Sequence, residues 1–354
     1  MQLLVTLLAL GAIVALHEFG HLVVARLCRM RVDRYSIGFG PVLLSFKAGA
    51  TEYVLSMLPF GGYVKIAGMN PQDGTAPDDP SSYTNRPAWQ RFLVLAAGPV
   101  TNYLLAFVVL STLNFFGRPQ PFPVPTIGSV RPSSPAALAG IKPNDEFVSI
   151  GGKAIASFDD VRAQIQATQG HAVEIQVKRA GQRVTAIATP AQLDGAWAIG
   201  VLPKTELVRH PLPESIALAA KDTALYNVAI LLHIAEWVRG KVSLGLGGPV
   251  RAVGETMQAA ELGAAAFFEF VGFLSVGVGL FNLFPVPALD GGRLLFVVIE
   301  MVRRRPVNQR LETAVHALGF MLLLGLIVFL TWGDVHHWME GLGRFAPPPP
   351  DAGH

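Results

Sequence analysis

The chain has 354 residues, of which 51% are hydrophobic and only 15% charged, and its mean hydropathy is +0.43. Soluble domains carry about 25% charged residues, so the composition excludes a purely soluble protein and points to an integral membrane protein with room for one soluble domain. The formal net charge is +3, and the basic residues flank apolar segments, which reads as membrane topology and not as nucleic-acid binding.

The first apolar run covers residues 3–27 and contains His17-Glu18-Phe19-Gly20-His21. No basic start or small-residue cleavage site precedes it, so it reads as a retained transmembrane helix. In a helix, His17 and His21 lie one turn apart on one face. Two imidazoles so placed bind one zinc ion, and Glu18 beside them accepts a proton from the attacking water. Three ionisable groups in a membrane-length segment are costly unless they face a polar interior and serve a function. Arg26, Arg29, Arg31 and Arg34 follow the run and place its far end in the cytoplasm. Both histidines then sit in the cytoplasmic half. Cys28, the single cysteine, reads as a small packing residue.

Residues 34–68 are expected to form a small β-sheet next to this helix. Glycines punctuate three β-prone runs, 42–46, 51–57 and 63–66, and 47–50 reads as a hairpin turn. The sheet has two readings, a structural plug or an edge that pairs with an extended substrate through Tyr53, Val54 and Leu55. A polar loop, 70–85, leads to a second span at 92–116. That span carries Gly98-Pro99 and Asn102, a breaker and a polar amide at membrane depth. An Asn amide there is suited to donate to a developing oxyanion.

A Pro-rich linker precedes a soluble α+β segment at 126–190. It is expected to have a helix at 158–168 and closing strands at 173–178 and 184–188. The segment resembles a PDZ domain of the bacterial protease type and is bounded at 124–191. Such domains bind extended peptides or chain ends by strand addition. Residues 211–245 carry Lys221, Asp222, Asn227, His233 and Glu236 among apolar residues, which reads as an amphipathic, membrane-associated helix. His233 is a rival metal ligand without a paired ligand nearby. A third span at 264–284 ends in a run broken by Pro285, Pro287, Gly291 and Gly292, with Asn282 and Asp290 inside it. An ionisable residue at a broken membrane helix is a candidate functional group. Arg303, Arg304 and Arg305 mark a cytoplasmic loop, and a fourth span at 318–332 leaves 334–354 outside. His336 and His337 in that tail read as solvated.

Three motifs coincide: His17-Glu18-x-x-His21, Gly98-Pro99-x-x-Asn102, and Asn282-x-x-Pro285-x-Pro287-x-Leu289-Asp290-Gly291-Gly292. Together with the PDZ-like insertion and Gly248-Pro249, they make the chain similar to the site-2 protease family of intramembrane zinc metalloproteases, of the type that regulates the bacterial sigma-E response. The resemblance implies a polytopic α-helical membrane protein of about four transmembrane helices, divided into a catalytic half at 1–118, a PDZ domain, the amphipathic helix, a second membrane half at 246–340 and a tail at 341–354. It implies that His17, His21 and Asp290 bind Zn2+, that Glu18 is the general base, and that Asn102 and Asn282 lie near the active site. It also implies cleavage, in the bacterial cytoplasmic membrane, of single-span proteins already trimmed by a site-1 protease, anti-sigma factors in particular. The PDZ domain then lies on the non-cytoplasmic side. Enterobacterial relatives carry two PDZ domains in tandem; this chain has room for one.

Overall fold

The computed structural model describes residues 2–70, 74, 76, 78–193, 196–240 and 248–343. Most of the tail placed at 341–354, and residues 241–245 of the amphipathic segment, lie outside the described residues. In chain order the structure has α1 (Gln2–Leu27), β1 (Val32–Ala48), β2 (Thr51–Ile66), α2 (Ala88–Phe116), β3 (Arg118–Pro121), β4 (Ile127–Val130), α3 (Pro135–Leu138), β5 (Glu146–Ile150), β6 (Lys153–Ala154) and α4 (Phe158–Ala167). It continues with β7 (Val173–Arg179), β8 (Gln182–Ala188), β9 (Ala191–Leu193), β10 (Ala196–Ala198), β11 (Val201–Pro203) and β12 (Thr205–Val208). Five helices complete it: α5 (Leu212–Val238), α6 (Pro249–Glu261), α7 (Ala264–Leu283), α8 (Asp290–Arg303) and α9 (Gln309–Gly343).

The chain forms two compact units. One comprises Met1–Leu113 and Leu212–His354, the other Asn114–Pro211. The second is wider than the 124–191 expected, because β9 to β12 extend it. Its four-stranded sheet has the order β6-β5-β7-β8, and β4 and β3 pair with β11 and β12. Phe147, Ile150, Val161, Ile165, Ile175 and Val177 form its core. Alternation of apolar residues along β7 supplies one face of that core, and α4 contributes Val161 and Ile165, four residues apart. Ser157 caps α4 in a reciprocal box with Asp160.

Among the described residues, five helices are long and apolar enough to cross a membrane: α1, α2, α5, α7 and most of α9. That is one more than the sequence reading assigned, and the addition is α5. Its polar residues argued against a span, but several are satisfied by protein. Asn227 donates to Thr223 O at 2.8 Å and accepts from Tyr103 Oη at 2.7 Å, while Tyr226 Oη donates to Glu269 at 3.2 Å. α9 also continues as helix to Gly343, past the end expected for the fourth span.

β1 and β2 are each bent, so two long strands make a four-ply sheet. Gly38 in β1 and Gly61 in β2 adopt φ of +87° and +91°, conformations that L side chains rarely take, and the strands turn there. The register places 42–48 beside 51–56, 51–56 beside 34–37, and 34–37 beside 62–66. The turn expected at 47–50 is present, between Ala48 and Thr51. Tyr35 Oη donates to Ala15 O at 2.7 Å and ties the sheet to α1. Cys28 is buried in the core beneath, with Leu22, Met30, Val32, Ile66 and Val94.

Candidate metal centre

The i, i+4 spacing on α1 places both imidazoles on one buried face, each 5% exposed. Asp290 begins α8, directly after the proline-broken turn that ends α7. The three side chains meet. His17 Nε2 lies 3.0 Å from Asp290 Oδ2, His21 Nε2 lies 3.2 Å from the same oxygen, and the two Nε2 atoms are 3.3 Å apart. Among the described residues, this is the one group of three His, Cys, Asp or Glu side chains placed to share an ion. Donors at 2.0–2.2 Å from a tetrahedral zinc stand about 3.3–3.5 Å apart. The observed separations are within a few tenths of an ångström of that.

The imidazoles are oriented for the task. His21 Nδ1 donates to Val94 O at 2.7 Å, which leaves the Nε2 lone pair facing the cluster. His17 Nδ1 is 3.2 Å from Asn102 Nδ2, while Asn102 Oδ1 is buried with no partner among the described residues. Turning the amide over resolves both facts: Oδ1 then accepts from His17 Nδ1–H, and His17 Nε2 is free to ligate. Asn102 is fully buried, and its own carbonyl accepts from Ser275 Oγ at 2.9 Å. It therefore holds the His17 ring in place, and its contacts go to His17 and Ser275 where an oxyanion role was expected.

Space is made by glycine. A Cβ on Gly98 would lie 2.3 Å from His21 Nε2 and 2.7 Å from His17 Nε2, so any larger residue would occupy the cradle. Glu18 points away from the shared histidine face. Its Oε2 accepts the backbone N–H of Val64 at 3.1 Å. The three candidate donors and the glutamate thus sit between α1, α2, the 62–66 strand and the start of α8.

The other expected contacts are elsewhere. Tyr53, Val54 and Leu55 pair with 35–37 on one side and 44–46 on the other, so their backbone has no free edge for a substrate. The edge that reaches the glutamate is 62–66. Asn282 Nδ2 donates to Val278 O at 3.0 Å within its own helix. Its side chain lines an apolar cavity of about 550 Å³ between α5 and α7, with Ile230, His233, Phe273, Gly277 and Phe281. His233 is not part of the metal-ligating group. Val94 O and Val64 N were missed because they are backbone atoms, which no residue type announces.

Two buried histidines and a partly buried carboxylate with a glutamate alongside, in a unit of membrane-length helices, define a membrane zinc metalloprotease. The chain belongs to peptidase family M50, whose profile matches residues 5–326. A provisionally named zinc metalloprotease of Clostridium perfringens is 36% identical over 339 residues, covering 95% of this chain and 98% of its own. One of Agrobacterium fabrum is 34% identical over 359 residues, covering 93% and 94%. The regulator of sigma-W protease RasP of Bacillus subtilis is 28% identical over 405 residues, covering 92% and 96%.

Proposed function

We propose that the chain is an intramembrane endopeptidase that holds zinc through His17, His21 and Asp290 and cuts single-span membrane proteins. The observation that carries this reading is the mutual 3.0–3.3 Å approach of three donor atoms. Zinc, when bound, supplies Lewis acidity for the scissile carbonyl and the attacking water. Glu18 takes a proton from that water and returns it to the departing amide nitrogen. Val64 N–H fixes Oε2, which leaves Oε1 for the proton. Asn102 and Val94 O keep the two imidazoles in the ligating tautomer.

A helical substrate amide is hydrogen-bonded to its own chain, so it must unwind before cleavage. Its freed backbone groups need partners at membrane depth. The 62–66 edge beside Glu18 is suited to provide them by strand addition. The second unit reads as a PDZ domain on the non-cytoplasmic side that takes a peptide or chain end in the same way. The relative named for sigma-W regulation supports substrates of the anti-sigma type in a bacterial cytoplasmic membrane. The test uses the full chain in membranes with a single-span reporter. Glu18→Gln should keep zinc and abolish cleavage, and Asp290→Ala should lose zinc. Normal turnover by Glu18→Gln overturns the assignment of the base.

A further inference from the structure

The turn between α7 and α8 must present Asp290 to two histidines on another helix, and it is strained. Ala288 has φ +79°, a left-handed conformation unusual for a residue with a Cβ. Local hydrogen bonds close the turn: Val286 N–H donates to Phe284 O at 2.7 Å, Leu289 N–H to Val286 O at 3.2 Å, and Gly292 N–H to Leu289 O at 3.1 Å. The N–H of Ala288 is served from outside the turn. It donates to His316 Nδ1 on α9 at 3.0 Å.

One helical turn further along α9, Gly319 lies against Pro287. A Cβ there would come within 2.3 Å of Pro287 Cβ and 2.7 Å of its carbonyl group. His316 and Gly319 are three residues apart, so they share the face of α9 that meets the turn. The geometry of His316 also fixes its protons. Because Nδ1 accepts, the neutral ring carries its proton on Nε2. That Nε2 is buried and has no partner among the described residues. Packing alone does not account for such a residue. The ring lies 5.7 Å from that of Phe296, a contact that leucine or phenylalanine would make without burying an unpaired N–H. What only an acceptor provides is a partner for Ala288 N–H, two residues before Asp290. The carbonyls of α9 are engaged within the helix, so a side chain must supply it.

We infer that His316 is a positioning residue for the metal centre: through Ala288 N–H it holds the strained turn that carries Asp290 in place. This rests on the reading of Asp290 as a zinc ligand.

The experiment measures zinc affinity of the full-length purified protein by competition with a chelator, all in the Glu18→Gln background so that turnover plays no part. His316→Leu keeps the volume and removes the acceptor, and its affinity should fall about 10–100-fold, the range for lost supporting contacts at metal sites. His316→Asn puts an oxygen near the position of Nδ1 and should restore affinity to within about threefold. His316→Gln places its oxygen beyond that position and should behave like His316→Leu. Unchanged affinity in His316→Leu overturns the inference. So does equal affinity in the Asn and Gln variants, a comparison that stands even if the Leu variant does not accumulate. Asp290→Ala is measured alongside. Full zinc retention there defeats the ligand assignment itself, whereas zinc loss there with normal binding in His316→Leu defeats only the role given to His316.

Discussion

Val64 and Glu18 are 46 residues apart in sequence, and the backbone N–H of the first donates to Oε2 of the second at 3.1 Å. The contact joins the sheet to α1 at the carboxylate proposed as the general base. On that reading the sheet aims the base. Proline at position 64 removes the donor while leaving the side chains of the site unchanged. An edge strand tolerates proline where its N–H faces away from the ladder. Val64→Pro is expected to retain zinc and lower kcat by about 10–100-fold, the effect of a misplaced catalytic group. Unaltered kcat would show that Glu18 is held by other means.

Gly98 is where α2 passes over the two Nε2 atoms, with 2.3 Å and 2.7 Å left for a Cβ. Gly98→Ala should displace one imidazole and abolish stoichiometric zinc binding, with the protein still inserted in the membrane. Metal analysis of the purified variant reads this directly; full zinc content would mean that α2 can shift away.

Asn102 offers a graded test of the same centre. Removal of its amide in Asn102→Ala leaves His17 Nδ1 without its partner, and zinc affinity should fall about 10–100-fold. Asn102→Asp substitutes an acceptor-only group, which suits a ligating histidine. It should bind zinc at least as well as the parent chain. An equal loss in both variants would mean that the Asn102 side chain serves packing at the buried face of α2 and not the orientation of His17.

Much of this site was legible in the sequence, for identifiable reasons. His17, Glu18 and His21 obey helix periodicity, and Asp290 sits where two prolines and two glycines break an apolar run. The β-prone runs and the turn at 47–50 were readable from alternation and turn chemistry. The order of strands was not, because register depends on pairing partners that share no local signal. That is why Tyr53, Val54 and Leu55 were expected at an edge and lie inside the sheet. Asn102 drew notice as a polar residue at membrane depth, but its task depended on which side chain it would meet. α5 looked too polar to span because Asn227 finds its partners, Thr223 O and Tyr103, only in the fold.

In the second unit, Asp145 gives a pH dependence. Its side chain is 1% exposed, and it accepts Arg179 Nε at 2.8 Å, Arg179 Nη2 at 2.7 Å and Lys142 N–H at 2.9 Å. Burial alone would raise its carboxyl; the Arg179 fork and the Lys142 N–H outweigh burial, and the pKa lies below the ordinary value. A carboxyl lowered in the folded state adds stability that is fully present above its unfolded pKa of about 3.9 and is lost as pH falls from there toward the folded value. Amides of β5 and β7 should therefore keep their hydrogen-exchange protection down to about pH 4 and lose it below, after correction for intrinsic rates. Arg179→Met should reduce protection at about pH 7 and weaken the acid step. Protection independent of pH across this window would contradict the coupling.

The sheet has two outer edges, 42–48 and 62–66, because 34–37 and 51–56 are paired on both sides. Only the second is tied to the site, through Val64 and Glu18. A Cβ on Gly62 would also lie 3.6 Å from Glu18 Cγ, in ordinary contact, so this strand runs past the base at van der Waals distance. An extended segment added along 62–66 would pass the glutamate and the metal donors. Strand addition satisfies its backbone without reading its side chains, which suits cleavage of varied apolar sequences. Photoreactive residues at Tyr63 and Lys65 in Glu18→Gln should crosslink to a bound single-span substrate, and one at Leu55 should not. The 42–48 edge serves as an internal comparison, since it exposes Val42, Leu43, Leu44 and Phe46 but has no hydrogen bond to Glu18. Crosslinks confined to Leu43 and Phe46, with substrate bound, would move the docking edge to the far side of the sheet and leave 62–66 as a wall that only aims the base.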